Sequence, residues 1–485
     1  MSWSPAYVNQ VLAPDYRFAG EYLYGALLDA MAAHVRTVAK LPAVQADPEA
    51  LRATSALTAA IADMHAEALP PQAADVPDAY FAINSVLEAR LGSDTVSFLR
   101  TGLSRNDLDM TVYKLAERER NLQLAEALTE LRAAVQALAG QHTDTVLIAH
   151  THHQPGQPTS VAHYLLAIDS LLGRDQERVR AAYGRLNTSP LGAAALASSS
   201  HPLDRQYTAE LLGFDRPVAN TIDAVSASDW QAEAVATANS VALNMSRFTW
   251  DLLNWASQAL YRLPDGLVQG SSIMPQKRNP VALEHARTRF SRVLGSGQQV
   301  IFSSHNISYT DLNDFGPDIQ GSLRQQHHQL LSGLVLLTSC VEGGEFDREA
   351  LSALASQTDT TATELADELV RQHGVPFQKA HSLVAAAVAH CRSRGVALLQ
   401  LSASEFESLG GPPLSDSQLH EALDPAAFIA RRSGYGGPAP EVVKAQLHKA
   451  ASQLESNRQE LNDTRSTLNR AIHALRVPAN RKEQP

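Results

Sequence analysis

Cysteine is nearly missing from this chain: Cys340 and Cys391 are the only two in 485 residues. They form no disulfide framework and no paired metal-ligand spacing, and they fit a reducing, cytoplasmic setting. No stretch reaches the roughly 18 to 20 uninterrupted apolar residues that would span a bilayer. The N-terminus, MSWSPAYVNQVLAPDYRF, lacks the basic start and apolar core of a signal peptide. Dense Lys/Arg blocks are absent up to the short tail NRKEQP, and 40 basic against 51 acidic residues leave a net charge of -11. That balance argues against a nucleic-acid groove or a membrane surface and for small-molecule chemistry. Alternating, strand-like runs are scarce. Glycine and proline are absent throughout Leu103–Ala139.

What the chain does contain is helix. Its 44% hydrophobic content is ample for a core, and its length implies two or three domains or an elongated helical body. Leu124, Leu128, Leu131, Val135 and Leu138 alternate in steps of four and three, the seam of a packed bundle. A second breaker-free stretch runs from Val218 to Leu263, and a third occupies VVKAQLHKAASQLESNRQELNDTRSTLNRAIHAL. Breakers cluster around Pro70–Tyr80 and in THHQPGQPTS, GSSIMPQKRNP and SLGGPPLSDS. The expectation is an all-α protein of three helical domains with a long central helix bundle. Residues 1–110 would form the N-terminal domain, 111–351 the bundle and 352–485 the C-terminal domain.

Three polar islands interrupt the central region. In TGLSRNDLDMT, Ser104, Arg105 and Asn106 precede the long helical run, with Asp107 available as a cap. Backbone N–H groups and the helix dipole would there face a bound anion, although the same residues also make an ordinary cap with solvated charges. HTHHQPGQPTS offers His150, His152 and His153. Adjacent histidines do not readily turn both rings to one ion, and no carboxylate follows at a customary ligand spacing, so no metal site is expected. One histidine acting as acid or base beside Thr151 and Gln154 is more economical, with buried structural histidines as the plain alternative. GSSIMPQKRNP, Gly270–Pro280, is polar, permissive at its start and rigid in its middle. It suits a catalytic loop and makes a poor core segment.

On that third island the chain resembles the fumarase/aspartase superfamily, whose signature loop runs G-S-S-x-x-P-x-K-x-N-P, and within it the argininosuccinate lyases. TGLSRNDLDMT is similar to their T-G-R-S-R-N-D-Q element and THHQPGQP to their T-H-L-Q-R-A-Q-P. SPLGAAALASSSHPLDR and GYGGPAPEVVKAQL also look like family segments, so the resemblance covers about Asp78 to Leu447. It implies an anti β-elimination without a cofactor. The C–N bond of an N-substituted aspartate, a small dicarboxylate, breaks to release fumarate and an amine-type product. It also implies a homotetramer with a twenty-helix core, each site being shared by three subunits.

Carried over position by position, the resemblance makes Ser271 the base, as an alkoxide, with Ser272 the other serine to consider. Lys277 would lower its pKa, and Lys277 and Asn279 would hold a substrate carboxylate, while Gly270 hinges the loop. His152 serves the acid side, oriented and charged by Glu284. Ser104, Arg105, Asn106 and Thr151 anchor substrate, supported by Gln154, and Asp78 faces its distal end. Departures are equally specific. Leu103 and Leu108 replace an Arg and a Gln, His153 a Leu and Pro155 an Arg. SYTDLNDFGPD is one residue short of Y-N-K-D-L-Q-E-D-K and has neither lysine, leaving Tyr309, Asp311 and Asn313 as partial counterparts. The favoured reading is therefore a fumarate-releasing C–N lyase whose leaving group is not arginine, with a distal pocket suited to a smaller or less charged nitrogen substituent. Argininosuccinate lyase proper is the alternative. An idle, crystallin-like structural bundle is a third reading, disfavoured because Ser271, Lys277, Asn279, His152 and Glu284 are all present.

Overall fold

The computed structural model describes residues 3–477, so the tail NRKEQP lies outside it. Residues 5–23 are helical with two π turns, Val8–Leu12 and Ala19–Leu23. In chain order, α1 spans Tyr24–Val38, α2 Pro48–Asp63 and α3 Ala79–Leu91. Asp47 and Asp78 cap the last two by accepting N–H groups from Glu49 and Phe81. The 37-residue α4, Arg105–Gln141, is about 55 Å long at the α-helical rise. A hairpin of β1 (Val146–Thr151) and β2 (Gln154–Ser160) leads into α5 (Val161–Leu186) and α6 (Asp229–Ser257). The two-residue strands β3 (Gln269–Gly270) and β4 (Arg278–Asn279) precede α7 (Val281–Ser303) and α8 (Pro317–Gly343). Helices α9 (Ala362–His373), α10 (Phe377–Ser393) and α11 (Pro440–Arg476) follow, and shorter helices fill the connections. Strands make only isolated two-stranded ladders, and the fold is all-α.

Helices α4 to α8 pack side by side into the central bundle, and α11 returns along α4 and α5. The seam read from the sequence is its core: Leu128, Leu131 and Val135 have no exposed surface, and Leu124 and Leu138 have at most 5%. They pack with Leu165, Met245, Phe248, Phe290 and Leu334. Each such side chain contributes about 1.5–3 kcal/mol by leaving water. A second apolar cluster joins α1 to α3 to one end of α4, and a third, around Phe406, is confined to residues 365–423.

The bundle interior also holds a charged network. Arg132 of α4, 2% exposed, donates to both oxygens of Asp169 on α5 at 2.9 and 3.0 Å and to Gln176 at 2.6 Å. Gln136 donates to the same carboxylate at 2.9 Å. On the outside, Leu243 and Trp250, seven residues apart on one face of α6, are 53% and 52% exposed, and Val335 of α8 is 56% exposed. Among the described residues, no helix is long and apolar enough to cross a membrane.

Removing one member of a buried ion pair strands the other charge in the core. Arg132→Met is accordingly expected to lower unfolding stability by about 3–5 kcal/mol, and Arg132→Met combined with Asp169→Leu by distinctly less. Chemical denaturation of the three proteins checks this.

Candidate active site

The first island is built by the N-terminus of α4. Ser104, not Asp107, is the cap: its Oγ accepts the N–H of Asn106 at 3.3 Å. Asp107 closes the reciprocal half of the capping box by accepting the Ser104 N–H at 3.0 Å. The second oxygen of Asp107, a fully buried residue, accepts the N–H groups of Gly192 at 2.8 Å and Ala194 at 2.9 Å. Gly192 and Ala194 have positive φ, 88° and 54°, which turns both N–H groups toward one acceptor. Asn106 adds a donation to the Ala195 carbonyl at 3.0 Å. Loop 190–196 is thus latched to the helix mouth. Burial pushes the Asp107 carboxyl up to about 7, against the pull of these N–H donors.

Arg105 points the other way. It pairs with Asp78 and bridges both oxygens of Asp109 at 3.0 and 2.9 Å. Burial works against its charge, but Asp109 and Asp78 more than offset it and hold the guanidinium firmly protonated. Asp78 therefore has two tasks, capping α3 and pairing with Arg105.

The second island is the tip of the β1–β2 hairpin. Thr151 pairs with Gln154, so His152 and His153 are the two turn residues. Their φ values of 53° and 60° are those of a tight hairpin turn that matches the twist of the flanking strands. Positive φ is uncommon for side-chain-bearing residues, though histidine tolerates it better than most. The turn holds both rings out: Thr151, His152, His153 and Gln154 are all exposed, which removes the buried-histidine alternative.

The third island projects from the ladder of β3 and β4, where Gln269 pairs with Asn279 and Gly270 with Arg278. Arg278 ties this base to Asp265 and, at 3.0 Å, to the Leu263 carbonyl. Within the loop, Ser271 Oγ accepts the backbone N–H groups of Ile273 at 3.3 Å and Met274 at 3.1 Å. Two N–H dipoles aimed at one oxygen favour its anionic form. Ser272 and Lys277 are exposed, and Ile273 is 84% exposed. Glu284 lies in the first turn of α7 with its neighbour Leu283 buried, but it is exposed. Among the described residues no hydrogen bond or ion pair joins Glu284 to His152.

The remaining candidates meet at a cavity of about 520 Å³ lined by Asp78, Arg105, Asp109, Asp311 and Asn313. Tyr309 is not among the lining residues: it is exposed and donates to Asp223 at 2.6 Å, a bond that, ahead of burial, pushes its hydroxyl up to about 12. Nor do Leu103, Leu108 and Pro155 line the cavity. Leu108 is fully buried in the N-terminal cluster and Pro155 stands exposed on β2. The cavity is roomy, and its lining carries more carboxylates than cations among the described residues. Asp109 was missed in the sequence, although its spacing of four from Arg105 on a helix is an ion-pair signal.

A sequence profile of the family described as Lyase matches residues 17–295, and one described as argininosuccinate lyase C-terminal matches residues 359–430. The chain is 38% identical over 437 residues to an argininosuccinate lyase of Methanoculleus marisnigri, covering 88% of this chain and 87% of that one. It is 35% identical over 430 residues to that of Methanospirillum hungatei, covering 87% and 86%. Among solved structures, EDDS lyase in complex with formate superposes with a TM-score of 0.86 at 26% identity, over 100% of this chain and 98% of that one. Class II fumarase from Schistosoma mansoni shares the fold, with a TM-score of 0.68 at 17% identity over 84% and 90% of the two chains.

The Asp107 latch carries its own test. Asp107→Asn keeps the size but turns an N–H₂ toward backbone donors. It is expected to lower stability by about 1–3 kcal/mol. In hydrogen exchange the Gly192 and Ala194 amides should lose their protection while the bundle core keeps its own.

Proposed function

Because this chain belongs to the argininosuccinate lyase family of the fumarase/aspartase superfamily, and is a carbon–nitrogen lyase, we propose that it releases fumarate from an N-substituted aspartate whose leaving group is not arginine. In this reading Ser271, as the alkoxide, takes the Cβ proton. The electron pair passes into the adjacent carboxylate as an aci-carboxylate, held by Lys277 and Asn279. That pair then forms the C=C bond as the C–N bond breaks, and the departing nitrogen receives a proton from the side of His152, which Glu284 orients. Ser104, Asn106, Thr151 and Gln154 position the succinyl part. The paired N–H groups at Ser271 Oγ support the base assignment, since an isolated serine hydroxyl is far too weak a base.

His152, Lys277 and Glu284 are exposed in one protomer and no hydrogen bond or ion pair among the described residues joins them, which supports a site completed between subunits of a homotetramer. Leu243, Trp250 and Val335 offer apolar surface for such an interface.

The observation that carries the substrate reading is the balance of charge in the cavity. Arg105 is the only cation among its described lining residues, and it is already paired with Asp78 and Asp109. The α-carboxylate of an arginine leaving group would find no free partner there, and an unpaired buried carboxylate is expensive. The acidic lining would suit a guanidinium, which keeps argininosuccinate as the second reading.

Ser271→Ala is expected to lower fumarate release by about 10²-fold or more with assembly intact. Near-full activity would move the base, to Ser272 first. Argininosuccinate should be turned over at least about 10²-fold less efficiently than a better N-substituted aspartate, roughly 2.7 kcal/mol of transition-state discrimination. A kcat/KM for argininosuccinate at or above about 10⁴ M⁻¹s⁻¹ would restore the parent activity.

A further inference from the structure

A second groove, of about 430 Å³, opens between α4 and α8, with Tyr22 of the second π turn in its wall. No residue lines both this groove and the cavity at Arg105, and Arg120 stands about 22 Å further along α4 at the α-helical rise. The groove runs against the charge of the chain, which is -11 overall. Two guanidiniums, Arg120 and Arg324, and two imidazoles, His327 and His328, face it, and the one carboxylate in its described lining is Glu119. That carboxylate is fully engaged: one oxygen accepts the Gln123 N–H₂ at 2.9 Å and the other pairs with Arg465 of α11. Arg324 lies 3.6 Å from the centre of the Tyr22 ring and makes no ion pair with a described residue.

Arg120 is an independent sign of a missing anion. It is only 8% exposed, and one of its terminal nitrogens donates to Glu117 at 2.9 Å. Glu117 lines a smaller cavity between α4, α6 and α8 and not the groove, whereas Arg120 lines both. The Arg120 Nε and its other terminal nitrogen hydrogen-bond to no described residue, and neither is sealed from solvent. A largely buried guanidinium with free, accessible donors calls for an acceptor. His327 reports the same excess of positive charge. Gln123 commits its N–H₂ to Glu119, so its oxygen accepts the His327 Nε2–H at 3.1 Å. Burial, and after it the charges of Arg120, His328 and Arg324, push the ring down to about 3, so His327 stays neutral among them.

We propose that this groove binds a small organic oxyanion, a carboxylate or a phosphate, between buried Arg120 and half-buried Arg324, with Tyr22, Leu115 and Leu331 against its carbon skeleton. The planar fork of a guanidinium matches both oxyanions, and the volume is that of a small-molecule site. The inference is independent of the lyase reading, which uses none of these residues.

The test is calorimetric titration of the full-length protein at low chloride with two probes, inorganic phosphate and propane-1,2,3-tricarboxylate. Two variants are compared with the wild type. Arg324→Gln breaks no ion pair, and Arg120→Gln combined with Glu117→Gln removes both members of the buried pair and strands neither charge. At least one probe is expected to bind the wild type, and each variant to weaken it by about 10-fold or more, the scale of charge-assisted hydrogen bonds. Weakening confined to phosphate assigns a phosphorylated ligand, and weakening confined to the tricarboxylate assigns a carboxylate. If the double variant does not fold, Arg324→Gln decides alone. Binding that the variants leave at wild-type strength places the anion elsewhere and overturns the inference. Absence of binding by either probe also overturns it; a change of sedimentation in Arg324→Gln would then give the groove to a carboxylate of a second copy of the chain.

Discussion

The site depends on one buried carboxylate. Asp107 sits where α4 begins and accepts three backbone N–H groups, one from its own helix cap and two from a loop more than eighty residues later. Without that acceptor, three N–H groups would be left in an interior that does not tolerate orphaned donors. With it, Ser104, Arg105 and Asn106 are aimed from a single rigid helix end, and loop 190–196 is drawn against them. An α-helix leaves its first N–H groups free; here that deficit is used to join two segments that also share an apolar cluster through Leu108 and Leu191.

The long helices of the bundle leave the other candidate residues, His152, Ser272, Lys277 and Glu284, exposed on the protomer. Helices of this length bury a stripe of leucines and leave function to their ends and to the loops between them. The hairpin tip with His152 and the loop with Ser271 each stand on a short ladder, β1–β2 and β3–β4, that fixes their base and exposes their tip. The two histidines accept left-handed backbone conformations to do so. In the proposed assembly, such tips gain their opposite walls from neighbouring subunits.

The two ends of the proposed substrate are treated by different physics. At the succinyl end, N–H dipoles and a lysine favour anions. Around Arg105 the sign reverses, because Asp78 and Asp109 neutralise its guanidinium and further carboxylates line the same cavity. Burial lifts the Asp109 and Asp311 carboxyls, with the Arg105 charge opposing it. A zwitterionic tail and a purely cationic tail would meet this lining very differently.

The sequence by itself determined the helical class, the seam of α4 and the three islands. Those depend on spacing: a 3.6-residue period, a missing Gly or Pro, a serine four residues before Leu108 are all local facts, and local propensities decide them. It also pointed to His152, Ser271 and Glu284 by resemblance, but not to the exposure of His152 and Glu284 in the protomer. Only the tertiary structure decided that Leu108 faces the core and not the pocket, that Tyr309 turns to Asp223, that Arg105 is held by Asp109, and that Tyr22, Arg120 and Arg324 share a groove. Residues 22, 120 and 324 are distant in sequence, and their meeting depends on how separate helices pack, a long-range outcome that no short window of sequence encodes.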